Sequence, residues 1–279
     1  MKRTIARWQT LWLRLFALAV ITGVTLPTWL PARLDLVLVV GLFLLSLVRP
    51  PRSERAPVPL PAPVRGRWVA LNSPGSAVPS HGVKAYGQTY AVDLLRPSSD
   101  ARASLGWSLR TRRPESYPAF GEPVLSMAPG TVVAARDAAR DHGARDTWPT
   151  VLWMMTIEGF VRELGGASRI LGNHVIVAHD DGTYAAYAHL RRGSATVRTG
   201  ERVTAGQQLG AVGNTGNTSE PHLHVQLMDH AIPQAAAGVP MLWPDLSVDP
   251  AERDARWGAG EPKATALAWF PPSGQIFEA

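Results

Sequence analysis

The chain contains no cysteine. Disulfides and thiolate metal sites are therefore excluded, and any bound metal must rest on histidine, carboxylate or water. The bulk of the chain also lacks net charge. Residues 1–55 hold eight basic side chains (Lys2, Arg3, Arg7, Arg14, Arg33, Arg49, Arg52, Arg55) and two acidic ones (Asp35, Glu54), which accounts for the whole net charge of +6. The remaining 20 basic and 20 acidic residues cancel. A neutral body excludes a phosphate-reading surface, so no nucleic acid partner is expected. Long apolar runs are absent after residue 48.

Before that point there are two. Leu11–Leu30 is apolar apart from Arg14, Pro27 and a few small polar residues, and Leu34–Val48 has only Asp35 and Ser46 as polar members. The short link between them suggests a helical hairpin. No small-residue cleavage site follows the first run, so a membrane anchor over 1–49, with a lipid bilayer as partner, is expected rather than a signal peptide. Basic residues flank both outer ends, which places both ends in the cytoplasm by the positive-inside rule. Residues 50–66 carry six prolines between Pro50 and Pro63 and read as an extended, semi-rigid linker.

The body reads as mainly β. Tyr90–Leu95 has strand character, with Asp93 on the face opposite Tyr90, Val92 and Leu94. A carboxylate there is costly unless paired or bound to a cation. Glu122–Ala134 suggests a hairpin around Ala128-Pro129-Gly130. Residues 137–170 read as an insertion, partly helical, with Pro149 in a first helical turn. Asn173–His179 and Thr183–Leu190 read as strands joined at Asp180-Asp181-Gly182, with Ala185, Tyr187 and His189 on one face. Short strands broken by glycine follow to Gly213. Residues 233–279 read as an irregular tail.

The most informative stretch runs from Asn214 to Leu227. It opens as a turn rich in Asn, Thr, Gly and Ser, and then alternates. His222, His224 and Gln226 fall on one face, Leu223, Val225 and Leu227 on the other. Two imidazoles at i, i+2 suit a metal site, although an isolated pair can equally sit on a solvated face.

The segments Gly172–Val175, Tyr187–Leu190, Val203–Gly210 and Gly213–His224 together resemble the lysostaphin-like (LytM-type) zinc metallopeptidases over about residues 67–232. The resemblance implies an antiparallel β-sheet groove with Zn2+ at its floor, and hydrolysis of peptide bonds in peptidoglycan. It implies Asp93 and His224 as metal ligands and His189 and His222 as the catalytic pair around the attacking water. The family's remaining histidine normally stands four residues before the aspartate, where this chain has Thr89. His81, twelve before Asp93, is expected to replace it, with Gly82 and Gly87 letting the loop fold back. His142, His174, His179 and His230 are expected to be structural residues in surface or turn settings. Family members that have lost ligands act as regulators, so a degenerate domain that binds wall peptides or regulates a partner hydrolase is the alternative. The glycine-punctuated stretch from Val197 to Gly213 also resembles lipoyl- and biotin-carrier hairpins, but no lysine lies between Lys84 and Lys263 to carry the group. A wall hydrolase must face outward, so an extracytoplasmic domain is expected despite the charge pattern. The sequence leaves the oligomeric state open.

Overall fold

The computed structural model describes residues 1–26, 31–98, 105–257 and 260–279. Its centre is a nine-stranded sheet. In spatial order the strands are β13 (Ile276–Glu278), β2 (Arg67–Leu71), β3 (Val92–Leu95), β10 (Leu223–Met228), β7 (Tyr184–Ala188), β6 (His174–His179), β5 (Gly130–Arg136) and β8 (Arg202–Val203), and β11 (Gly238–Val239) extends β10 beyond β3. All of these neighbours are antiparallel. A small sheet of β4 (Pro123–Leu125) and β9 (Gln208–Ala211) and a parallel pair of β1 (Val58–Pro59) and β12 (Met241–Leu242) complete the β structure.

Alternation explains why one face of the large sheet is dry. Val92 and Leu94, Val175 and Val177, Ala185 and Tyr187, and Leu223, Val225 and Leu227 all join one core cluster. Each large side chain among them contributes about 1.5–3 kcal/mol by leaving water. Val124, Met127, Leu190, Leu209 and Val212 cover that face from the small sheet and its loops. The Met127 amide donates to the Tyr187 hydroxyl at 2.8 Å, so the one polar atom of this buried ring is satisfied. The opposite face of β3, β7 and β10 is left for other use.

Several expectations need correction. Glu122–Ala134 is not a hairpin: β4 pairs with β9, whereas β5 pairs with β6 and β8. Tertiary pairing overrides the local turn signal. The stretch 233–279 is not simply an irregular tail, because β13 closes the edge of the large sheet and buries Phe277 in the core. Nor do residues 50–66 stand away from the body. Val58 and Pro59 pair with Met241 and Leu242, and Leu60 and Val64 are buried.

The N-terminal segment also differs from a spanning hairpin. It forms α1 (Lys2–Arg7), α2 (Gln9–Thr25) and α3 (Ala32–Ser46), with Phe16 against Phe43 at 5.3 Å between α2 and α3. Helices α2 and α3 contact one another, but the expected membrane hairpin is not supported, because among the described residues no helix is long and apolar enough to cross a membrane. At 1.5 Å per residue the 17 residues of α2 and 15 of α3 reach about 26 and about 22 Å, short of a hydrocarbon core of about 30 Å. Residues 27–30 of the expected first run lie outside the described residues. Arg3 ties the segment to the body through a bidentate pair with Asp229 at 2.7 and 2.9 Å.

The insertion is helical from residue 148. It comprises α4 (Trp148–Trp153), a π-helical turn (Met154–Glu158), α5 (Gly159–Gly165) and α6 (Ala167–Leu171). Thr147 caps α4 in a reciprocal box with Thr150, and Pro149 stands in the first turn, where its missing donor costs nothing.

Because β13 belongs to the sheet, Phe277→Ala should cost about 3–5 kcal/mol, the usual loss for a buried phenylalanine. Urea unfolding would show this as a lowered midpoint; an unchanged midpoint would mean that β13 lies outside the cooperative unit.

Candidate metal centre

The polar face of β3, β7 and β10 gathers the histidines. Cross-strand register sets His224 opposite Asp93 on one side and opposite Ala188 on the other. Facing residues of an antiparallel pair share a face, so Asp93 and His224 meet, and small Ala188 leaves room above them. His224 Nδ1 lies 2.8 Å from Asp93 Oδ1. His81 arrives from a loop turned back by residues at positive φ, Gly82 (71°), Tyr86 (57°) and Gly87 (75°), and its Nε2 lies 3.1 Å from Asp93 Oδ2. His81, Asp93 and His224 each present one ligand atom, all within 4.8 Å of one another.

His189 enters by a different route from the one alternation suggests. Ala185 and Tyr187 point into the core, and unbroken alternation would send His189 with them. Its φ of 62° breaks the strand and swings the imidazole to the groove side. Three hydrogen bonds hold this kink: His189 N–H to Leu171 O (3.0 Å), Gly213 N–H to His189 O (3.0 Å) and His189 Nδ1–H to Thr215 O (2.8 Å). Gly172 allows the crossing of these segments. Its φ is +64°, and a Cβ there would sit 2.4 Å from the Thr215 carbonyl carbon.

His222 completes the group. Its Nδ1 donates to Glu220 O at 2.7 Å, and its Nε2 lies 3.5 Å from Asp93 Oδ1. The rings of His189 and His222 stand 4.8 Å apart, and that of His189 stands 5.6 Å from His224. In both His189 and His222 a backbone carbonyl accepts a hydrogen bond from Nδ1–H, which leaves Nε2 as the basic nitrogen.

Two partners around the ligands were not singled out from the sequence. Asn72 donates to Asp93 Oδ2 at 2.7 Å. Gln226 donates to Tyr86 O at 2.7 Å, which turns its Oε1 toward His224 Nε2 at 2.9 Å. With Nε2–H held by Gln226, Nδ1 is the nitrogen of His224 left for a metal. The alternation that paired Gln226 with the two histidines was the signal for it. Asn72 had none, since it follows the end of β2 at a φ of 45°.

The electrostatics follow from burial and proximity. Burial alone would raise the Asp93 carboxyl, but His81 and His222 and the bonds from His224 and His81 outweigh it and hold its pKa well below the usual range. Burial works against charge on His224 as well, yet Asp93 keeps its pKa above the ordinary imidazole value. Burial and the neighbouring imidazoles push His189 well below that value, and burial likewise lowers His222. His189 and His222 are thus neutral near pH 7 and able to accept a proton.

The donor set is one carboxylate and two imidazoles, with no thiolate. This suits a catalytic zinc, which takes three such ligands and keeps a position open. The cluster lies in the floor of a groove of about 650 Å³. Met154, Met155, Gly159, Phe160 and Glu163 of the insertion form one wall. The other four histidines stay out of the cluster. His174 and His179, however, are buried on β6 rather than at the surface.

Residues 154–236 match Peptidase family M23. The matched segment contains His189, His222 and His224 but neither His81 nor Asp93. Peptidoglycan DD-endopeptidase ShyC of Vibrio cholerae is 38% identical over 72 residues, 26% of this chain and 16% of that protein. Cell division protein DipM of Caulobacter vibrioides is 39% identical over 74 residues, 26% of this chain and 12% of that protein. Murein hydrolase activator NlpD of Escherichia coli is 39% identical over 72 residues, 26% of this chain and 18% of that protein. The chain therefore covers less than a fifth of the length of each. Among solved structures, the catalytic domain of lysostaphin from Staphylococcus simulans aligns over 59% of this chain and 84% of that chain, at 20% identity and a TM-score of 0.32.

Zinc binding should depend on pH with a definite sign. His81 and His224 must bind as neutral imidazoles, and the proton on His224 is held more tightly than usual. Apparent affinity should therefore climb as pH rises through the raised His224 pKa and fall below it. Titration of the full chain at several pH values, beside His81→Ala and His224→Ala, checks this. One zinc per parent chain, lost in both variants, is expected.

Proposed function

We propose, for a chain that carries a LytM-type M23 peptidase segment, a zinc-dependent endopeptidase acting on peptide bonds of peptidoglycan. The observation that supports it best is the floor of the groove: His81, Asp93 and His224 converge on one point, and two neutral imidazoles, His189 and His222, stand beside them.

His81 Nε2, an Asp93 oxygen and His224 Nδ1 would hold the metal. When bound, zinc supplies Lewis acidity and lowers the pKa of water towards neutrality. The rest falls to the chain. Asn72 and Gln226 fix the carboxylate and the His224 tautomer, so the ligands need little reorganisation. His222 and His189 present Nε2 into the groove, where either can take the proton of an attacking water and return it to the leaving amine. The other can then hold a hydrogen bond to the oxygen that gains charge. The groove, of about 650 Å³, has methionine and aromatic surface on one wall.

Since peptidoglycan lies outside the cytoplasmic membrane, we place the domain on the outer side, against the positive-inside reading of residues 1–55. A second reading, a regulator of a partner hydrolase, is favoured by the match to a murein hydrolase activator. The two readings separate in one assay. Purified sacculi incubated with the zinc-loaded chain should release new amino groups, and a chelator should stop this. His189→Ala and His222→Ala should keep their zinc and lose roughly 10²–10⁴-fold in rate. Full zinc occupancy with no release of amino groups would leave only the regulator.

A further inference from the structure

The helical insertion is amphipathic the wrong way round for a body in water. From Trp148 to Gly165 its exposed side chains are Trp148, Leu152, Trp153, Met155, Ile157, Phe160 and Val161, with Thr156 the only polar one. Leu152 is 64% exposed, Met155 72% and Val161 60%. Its charges are turned inward. Glu158 pairs with Arg145 at 3.1 Å and Arg162 at 2.6 Å, and Glu163 accepts a hydrogen bond from Tyr86. A surface helix in water shows the reverse arrangement, and an apolar patch of this size marks a contact site.

The apolar surface continues beyond the insertion. Arg14 of α2 donates to Leu164 O at 2.7 Å, and Thr10 lies against Gly166. Helix α2 then exposes Leu11, Leu18, Val20, Ile21 and Val24, and α3 exposes a further row from Leu34 to Leu44. Exposed Lys2 and Arg7 lie on α1 just before α2, and exposed Arg33 lies in the first turn of α3. Three contacting helical segments with apolar outer faces, basic ends and tryptophans at Trp8, Trp148 and Trp153 match the make-up of an element that lies in a membrane interface.

We propose that the helix from Trp148 to Gly165 docks side-on onto a phospholipid bilayer, with its outer face among the acyl chains. The occupant is lipid because exposed Lys2, Arg7 and Arg33 suit anionic headgroups, and because α2 and α3, neither of which is long and apolar enough to cross, would lie in the same interface. The consequence is positional. The same helix forms one wall of the groove through Met154, Met155, Gly159 and Phe160, so docking holds the groove mouth at headgroup level. Docking of this face is independent of catalysis at the groove floor.

The cysteine-free chain allows a direct test. Full-length protein carrying Ile157→Cys is labelled with an environment-sensitive fluorophore and mixed with phosphatidylcholine–phosphatidylglycerol vesicles that carry spin labels in their acyl chains. A blue shift with quenching at residue 157, and none for the same label at Arg192→Cys, is expected. The double variant Leu152→Glu/Ile157→Glu should keep the parent's zinc content and partition onto vesicles about tenfold more weakly. A label at residue 157 that stays in water overturns the proposal, even where one at Val24→Cys is quenched. So does quenching at residue 192 equal to that at 157. A blue shift that grows with protein concentration in the absence of lipid would instead assign the face to a second copy of the chain.

Discussion

Asp93 is the constraint around which the rest is arranged. A buried, ionised carboxylate costs several kcal/mol unless its oxygens are satisfied. Its partners come from separate parts of the chain: Asn72 after β2, His81 from the folded-back loop, and His222 and His224 at the start of β10. Without them Asp93 would take up a proton, and the loop bearing His81 would lose its tie to the carboxylate. The same residue sets up a competition. In the metal-free chain a proton on His224 serves as the counter-cation. A raised folded pKa means that this contribution to stability is complete below the unfolded imidazole pKa and fades as pH rises through the folded one. A divalent cation fits the same place best where the proton has left. Proton and metal compete for the same place beside Asp93, and pH shifts the balance between them.

The second constraint is the kink at His189. A non-glycine residue at positive φ costs about 1–3 kcal/mol and persists only where its surroundings enforce it. The enforcement comes from Leu171, Gly213 and Thr215, and the first of these ends the helical insertion. The insertion is thus joined to the groove twice, once as its wall and once through the backbone that aims His189. Leu171 at the end of α6 bonds directly to the backbone of His189, so α6 is coupled to the aim of the imidazole.

These two features also show where the sequence was readable. The faces of β10 and β3 followed from period-2 alternation, and that alone put His222, His224 and Gln226 on one side and Asp93 away from Val92 and Leu94. Alternation failed at His189, where it grouped the ring with Ala185 and Tyr187. The error is physical: a single αL residue cancels the period, and nothing in the side chain announces it. The loop bearing His81 was inferred from glycines and a family resemblance, and spacing alone could not have placed it. Asn72 was invisible because its position depends on which strand lies beside β3. The pairing of β4 with β9 and the return of β13 were missed for the same reason, since long-range partners leave little trace in a short window. The apolar runs before residue 48 do contain helices α2 and α3, but among the described residues neither is long and apolar enough to span, so the membrane hairpin expected there is not supported.

The register between β3 and β10 carries more than the fold. Strands β6, β7 and β10 are antiparallel neighbours within residues 174–228, so His189, His222 and His224 belong to the part that matches Peptidase family M23. His81 and Asp93 come from outside it and reach the centre only because β3 inserts between β2 and β10. The pair His224 and Asp93 is where the two parts meet. A slip of one residue would turn Asp93 into the core and Val92 or Leu94 into the groove, burying a charge while exposing an apolar side chain. The burial of Val92 and Leu94 is therefore what keeps Asp93 pointing at the histidines. Packing on the dry face of the sheet sets the chemistry on the other, and a core substitution in β3 can disable the centre without touching a polar atom.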